Sequence, residues 1–282
     1  MILPGSDSQS LAGALATELD EPLGCVSYDR FPDGEQIVAV PPLDGERAVV
    51  VASTATDAAH VQVLQLQDAA REAGAREVVT VVPYMGYARQ DAAFVEGQPV
   101  SARAVARAVG TGADRVLAVN PHEEAVLDFF GVPATAVDAA GRLAEGLPPL
   151  SDPLFLSPDE GAVDLAATVR DAYGDGDTDF FEKERDYDTG EVQVTPGDVA
   201  VAGRDVVVTD DIVATGSTMS EAIAALRTRD PARVFVACVH PMLAGNARTK
   251  LARAGVDVVV ATDTLERPVS TVSAAPAVAD EL

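Results

Sequence analysis

Four times along the chain a helical stretch passes through a short turn into a β-branched run, over 69–82, 104–119, 223–239 and 251–260. The β-branched runs themselves, 78–82, 116–119, 234–239 and 256–260, are almost continuously apolar instead of alternating. Strands of that kind are buried on both faces, the condition of a parallel sheet covered by helices. Strands that alternate with helices need right-handed crossovers, which makes the fold class α/β. Gly74, Gly112 and Gly255 fall where helix C-caps call for positive φ. The pattern breaks over 141–153, at Gly146, Pro148, Pro149 and Pro153. We read an N-terminal α/β domain over 1–145 and a C-terminal one over 146–282. The stretch 173–197 is rich in Asp and Gly, shows little periodicity, and reads as a lid loop.

Composition narrows the setting. Hydrophobic residues make up 48% of the 282, enough for a sizeable core, and the formal net charge is −25. Acidic residues are spread through every segment, and Lys183 and Lys250 are the only lysines among 20 basic residues. Such a surface repels itself in dilute buffer and is screened at molar salt, as in a salt-accumulating cell. A basic face for nucleic acid is missing. No apolar run reaches 18 residues, so no membrane span is expected, and the N-terminus lacks a secretory pattern. Cys25 and Cys238, each in an apolar segment, are expected to be buried, reduced thiols, which fits a cytoplasmic location.

The chemistry concentrates in Val206-Val207-Val208-Thr209-Asp210-Asp211-Ile212-Val213-Ala214-Thr215-Gly216-Ser217-Thr218. An apolar strand ends in two carboxylates, and a Thr-Gly-Ser-Thr turn then opens a helix over 219–227. The turn presents backbone N–H groups and hydroxyls at a helix N-terminus, a place for a phosphate dianion. The carboxylates can accept from vicinal sugar hydroxyls, so phosphate cradle and diol clamp stand side by side. Each part alone has an ordinary reading: such a turn is often a plain N-cap, and acidic pairs recur at Asp20-Glu21, Glu123-Glu124 and Asp280-Glu281.

The segment resembles the sugar-phosphate signature of the phosphoribosyl diphosphate-binding superfamily. Five other segments resemble one member family, the ribose-phosphate diphosphokinases. Arg30-Phe31-Pro32-Asp33-Gly34-Glu35 and 84–91, the latter continued by 97–103, resemble its nucleotide motifs. Asn120-Pro121-His122-Glu123 and Ser157-Pro158-Asp159-Glu160-Gly161 resemble its metal-contact segments, and Lys183-Glu184-Arg185 its catalytic loop. All six stand in family order.

The resemblance implies two phosphoribosyltransferase-like domains, each a mainly parallel sheet flanked by helices. It implies transfer of diphosphate from ATP to ribose 5-phosphate, with Mg²⁺ as cofactor and a homo-oligomer, a dimer or a multiple of dimers. It implies ATP binding by Phe31, Asp33, Gly34, Glu35, Arg89 and Gln90, and metal contacts at His122 and Asp159. Lys183 and Arg185 would be catalytic. Arg185, Asp210, Asp211, Ala214, Thr215, Gly216, Ser217 and Thr218 would hold ribose 5-phosphate. Many bacterial relatives carry a third acidic residue where Ala214 stands, so Ala214 would contribute backbone only. The alternatives are a phosphoribosyltransferase, which shares the sugar-phosphate signature, and a non-catalytic regulatory homologue.

The charge density carries its own prediction: thermal unfolding followed from low to molar KCl shifts to higher temperature as salt rises. A midpoint that stays constant or falls would contradict the self-repulsion argument.

Overall fold

The computed structural model describes residues 1–43, 47–185, 192–196 and 199–282, with backbone alone at 182–185 and 192–196. The chain folds as two compact units.

The first unit contains β1 (Ile2–Pro4), α1 (Gln9–Glu18), β2 (Ser27–Arg30), β3 (Gln36–Ala39), β4 (Arg47–Val51), α2 (Asp57–Glu72), β5 (Glu77–Val82), α3 (Ser101–Gly110), β6 (Arg115–Val119) and β7 (Ala134–Val137). Among the described residues its main sheet has the order β1-β4-β5-β6-β7, all parallel. The apolar run of β4 is buried from Ala48 to Val51, which leaves neither face of that strand to solvent. Helix α2 begins at Thr56, whose hydroxyl accepts from the Ala59 N–H at 3.1 Å. Its apolar stripe Val63, Leu66 and Ala70 packs into the core with Val50, Val78 and Val82. Strands β2 and β3 form a separate antiparallel ribbon. Tyr28 ties the ribbon to the end of β1 by donating to the Pro4 carbonyl at 2.6 Å, and Gln65 of α2 donates to the Gln36 carbonyl at 2.8 Å.

The second unit contains β8 (Leu154–Ser157), α4 (Val163–Tyr173), β9 (Asp177–Arg185), β10 (Val192–Pro196), β11 (Asp205–Ile212), α5 (Ser217–Arg227), β12 (Arg233–His240), α6 (Ala247–Ala254), β13 (Val258–Thr262) and β14 (Ser270–Val272). Among the described residues its sheet runs β10-β9-β8-β11-β12-β13-β14, parallel except for β10 against β9. Leu154, Leu156, Val206, Val208, Val234 and Val236 meet Ile223 and Leu226 of α5 in its core. The polypeptide then returns to the first unit: 263–266 and 273–282 belong to it. There Asp263 accepts from Ser273 Oγ at 2.7 Å and from the Ala274 N–H at 2.8 Å, opening the short helix α7 (Ala275–Ala279). Among the described residues no helix is long and apolar enough to cross a membrane.

Three local expectations change. Gly74 and Gly255 do take positive φ, at 101° and 93°, but Gly112 does not. Gly112 is small because the Gln67 side chain leaves no room: an added Cβ would lie 2.5 Å from Gln67 Oε1. The stretch read as a lid loop is in large part the strand pair β9–β10, with residues 186–191 between the strands outside the described residues. Cys238 is buried as expected, whereas Cys25 is exposed, because its segment leads into the outlying β2–β3 ribbon instead of the core.

A Cβ on Gly110 would lie 1.9 Å from the Phe130 carbonyl oxygen, a backbone atom that cannot rotate away. Gly110→Ala should cost about 1–3 kcal/mol by overpacking, read as a lowered melting temperature by circular dichroism in molar KCl. An unchanged midpoint would mean that α3 shifts freely on its neighbours.

Candidate active site

In open parallel sheets the strand carboxyl ends face the ligand, and in both units the singled-out residues lie at such ends or on the ribbon. In the second unit, β8 pairs in parallel with β11 through Leu154↔Val206, Phe155↔Val207 and Leu156↔Val208. That register brings the segment after β8, with Asp159, to the same edge as Asp210 and Asp211. Ser157 Oγ fixes the turn by donating to the Asp159 carbonyl at 2.6 Å, and the Ile212 N–H donates to Asp211 Oδ1 at 2.8 Å. Burial pushes the Asp210 carboxyl well above the ordinary aspartate range; the charge of Asp211, its hydrogen bond, and then the charge of Asp159 push it further. Three carboxylates at one sheet edge call for a proton, a cation or hydroxyl donors.

Beyond this edge the loop 214–218 turns into α5. Gly216 stands at the N-cap with φ 68°, and no side chain caps the helix, so the first amides of α5 are directed to whatever lies in the loop. An added Cβ on Gly216 would lie 3.4 Å from Ala247 at the start of α6. The loop is braced along its backbone: the Val213 N–H donates to the His240 carbonyl at 3.2 Å, and the Leu243 and Ala244 N–H groups donate to the carbonyls of Val213 and Ala214, both at 2.9 Å. Thr215 Oγ1 and Ser217 Oγ are 3.3 Å apart, and Lys250 Nζ donates to Ser217 Oγ at 2.7 Å. Lys250 was not among the residues singled out from the sequence. The available signal was its rarity, one of two lysines in an Arg-dominated chain.

Lys183 and Arg185 lie two residues apart on β9, opposite Val194 and Val192 of β10 in the backbone register. Their side chains lie outside the described residues. The root of β9 is held by Arg204, a buried guanidinium that donates to Asp177 Oδ2 at 2.7 Å and to the Asp152 and Pro153 carbonyls at 3.0 Å.

In the first unit, Phe31, Asp33, Gly34 and Glu35 form the exposed tip of the β2–β3 ribbon. The turn follows from Phe-Pro-Asp-Gly: Pro32 presets φ, Asp33 caps, and Gly34 takes φ 95°. The Gly34 N–H donates to the Phe31 carbonyl at 2.9 Å, the Phe31 N–H to the Glu35 carbonyl at 2.8 Å, and the Glu35 N–H to Asp33 Oδ1 at 3.2 Å. Phe31 is 48% exposed, so it is not a core aromatic. A polar cleft of about 440 Å³ opens beside the ribbon, lined by Tyr28, Arg30, Gln36 and Gln62 among others.

After β5, Tyr84 and Met85 are buried and Tyr87 turns out with φ 64°, its hydroxyl bonded to Asp57 at the start of α2. Arg89 is exposed behind it, and Gln90 accepts from Ser101 Oγ at 2.7 Å at the head of α3. After β6, Asn120 takes φ 35°, which an Asn tolerates better than most residues. Its side chain donates to Asp138 Oδ1 and accepts from the Ala139 N–H, both at 2.8 Å, and this turn exposes His122. Asp159 and His122 thus belong to different units. Among the described residues, no group of three or more His, Cys, Asp or Glu side chains is arranged to hold a metal ion.

A family model for the N-terminal domain of ribose phosphate pyrophosphokinase matches residues 1–111, and one for a phosphoribosyl transferase domain matches residues 134–274. The chain is 68% identical to a ribose-phosphate pyrophosphokinase of Halobacterium salinarum over the whole of both chains. It is 45% identical to that of Methanopyrus kandleri, covering 99% of this chain and 97% of the relative. The crystal structure of a phosphoribosylpyrophosphate synthetase from Mycobacterium smegmatis superposes with a TM-score of 0.81 at 27% identity, covering 100% of this chain and 96% of that one.

The carboxylate cluster gives a pH prediction. Asp210 titrates higher folded than unfolded, so between the two values the folded state holds a proton that the unfolded state has released. Stability contributed by this group is therefore lost as pH rises through that window. Asp210→Asn removes the buried charge, so the variant should melt above the parent at about pH 8, with the gap closing toward about pH 4. A gap independent of pH would show that Asp210 is not strained by its charge.

Proposed function

Because the chain belongs to the ribose-phosphate pyrophosphokinase family, we propose that its motifs divide that family's reaction into nucleotide binding by the first unit and sugar-phosphate binding by the second. The activity is ribose-phosphate pyrophosphokinase. The 1-hydroxyl of ribose 5-phosphate attacks the β-phosphorus of ATP, the bond from that phosphorus to the α-bridging oxygen breaks, and AMP leaves. The hydroxyl proton is released, and the product is 5-phosphoribosyl 1-diphosphate. Such transfers ask a protein for positioning and charge stabilisation more than for covalent participation.

The observation that carries the division of roles is the β11–α5 segment, where an acidic pair and an uncapped helix N-terminus adjoin at one strand end. Asp210 and Asp211 hold the sugar diol. A diol suits that pair, because its hydroxyls can donate to two adjacent carboxylates, one of which burial and its acidic neighbours make costly to charge. Ala214, Thr215, Gly216, Ser217 and Thr218 hold the 5-phosphate through amides and hydroxyls, with Arg185 adding charge. Phe31 lies against the adenine face, while Asp33, Gly34 and Glu35 contact base or ribose from a turn already closed by its own hydrogen bonds. Arg89 and Gln90 bind the nucleotide, Arg89 through its forked guanidinium.

Mg²⁺ would be the cofactor, with Asp159 in the second unit and His122 in the first each offered as a metal contact. The partly exposed carboxylate of Asp159 fits an ion that takes oxygen ligands, keeps several waters, and is bound through one or two carboxylates and substrate phosphates. Asp159 also adds to the negative charge that raises Asp210, which marks this edge as one that favours a cation. When bound, the ion neutralises charge on the triphosphate. Lys183 and Arg185 stabilise the charge that develops on the bridging oxygen as AMP departs. The enzyme works in the cytoplasm as a homo-oligomer, a dimer or a multiple of dimers; exposed Ile37 on the ribbon supports an apolar subunit contact.

The test is to incubate the protein in molar KCl with Mg²⁺, ATP and ribose 5-phosphate, and separate the nucleotides by chromatography. AMP should form in step with the diphosphorylated sugar, and only when ribose 5-phosphate is present. ADP in place of AMP would put the attack on the wrong phosphorus and overturn the mechanism. No nucleotide product, with ribose 5-phosphate still bound, would favour a phosphoribosyltransferase or a regulatory homologue. In the same assay Lys183→Ala should lower kcat by roughly 10²–10³; a value within a few-fold of the parent would remove Lys183 from the catalytic machinery.

A further inference from the structure

The loop 214–218 contains no Arg or Lys, adjoins the acidic edge of β8 and β11, and belongs to a chain of net charge −25. A phosphate dianion placed there is repelled by its surroundings. The N-terminus of α5 offsets only about half a charge. Lys250 comes to this place from α6, a different element, and its Nζ donates to Ser217 Oγ at 2.7 Å.

The chemistry of that contact has a direction. An ammonium only donates, so Ser217 Oγ accepts and its own proton remains for another acceptor. Thr215 Oγ1, 3.3 Å from Ser217 Oγ, shares the hydroxyl pair. One hydroxyl proton is used within the pair, and with Lys250 donating to Ser217 Oγ the other is left to give to an anion in the loop. The placement of Lys250 is set by backbone: the segment that leads into α6 donates from Leu243 and Ala244 to the loop carbonyls, and Ala247 lies against Gly216.

We propose that Lys250 is the cation of the phosphate loop, orienting the Ser217 and Thr215 hydroxyls toward the 5-phosphate of ribose 5-phosphate and offsetting its charge. The inference rests on 214–218 being the sugar-phosphate loop. Lys250 thereby selects the phosphorylated sugar and has no part in nucleotide binding.

The experiment compares Lys250→Met, Lys250→Arg and Thr218→Glu by steady-state kinetics in molar KCl, varying each substrate, with ribose 5-phosphate binding followed by calorimetry. Lys250→Met keeps the length of the side chain without its charge. It should raise the KM and Kd for ribose 5-phosphate on the order of tenfold, leave the KM for ATP unchanged, and be largely rescued by Lys250→Arg. Thr218→Glu puts a carboxylate in the loop itself, at a helix end that favours it, and should abolish ribose 5-phosphate binding. If Thr218→Glu does so and Lys250→Met stays within twofold of the parent, the role of Lys250 falls and the loop assignment stands. If Lys250→Met weakens both substrates equally, the residue is merely structural and the proposal falls. If Thr218→Glu changes nothing, the loop assignment itself falls, and the role of Lys250 with it.

Discussion

Leu154, Phe155 and Leu156 of β8 pair with Val206, Val207 and Val208 of β11, and the register of that pairing decides what emerges at the carboxyl edge of the second sheet. A slip by one residue would send every side chain of a strand to the opposite face. Burial on both faces makes such a slip costly, since Phe155 and Val207 are as deeply enclosed as Leu154 and Val206. The apolar runs of these strands therefore act as a ruler for a group that lies just beyond them. Asp159 and the Asp210-Asp211 pair reach one edge because the hydrophobic residues beneath them have one way to pack. The electrostatic strain at that edge is supplied by the core that underlies it.

The reading of the sequence succeeded where burial leaves a pattern. Runs 78–82, 116–119 and 234–239 became β5, β6 and most of β12, because a strand enclosed on both faces has to be apolar throughout. The strand, turn and helix at 206–218 were equally plain, since that turn needs special backbone chemistry within a few residues. The missed features lack such a requirement. Strand β9 carries Asp, Glu, Lys and Arg through most of its length, and β10 pairs with it at the sheet's outer edge, so neither shows the apolar run of a central strand. Cys25 sits among apolar neighbours that lead into a ribbon instead of a core. Lys250 meets Ser217 only after α5, β12 and the loop before α6 have folded back, and no local pattern encodes that return. The side chains of Lys183 and Arg185 stand on motif alone.

The acidic composition changes the value of each cation. Most arginines with visible partners are spent on structure: Arg204 holds the root of β9, Arg233 clamps Asp205, and Arg227 joins Asp257. Burial of the Asp205 carboxylate is compensated by Arg233 first, which lowers its proton affinity even though it is enclosed. Asp210 has the opposite fate, because its neighbours are acidic too. Two carboxylates on the same strand thus titrate in opposite directions, one held charged by an arginine and the other pushed toward its protonated form.

The return of 263–266 and 273–282 to the first unit bears on how the chain is made. Ser53 Oγ donates to the Thr264 carbonyl, Arg47 reaches the Leu282 carbonyl, and Ala275 and Val278 of α7 are buried. At roughly 5–20 residues per second, the ribosome needs on the order of ten seconds to build the second unit before these segments exist. The half that is translated first is thus the half that is finished last. Until then α1 lacks the cover of α7, and when 263–266 emerge the later half has all of its described strands but β14.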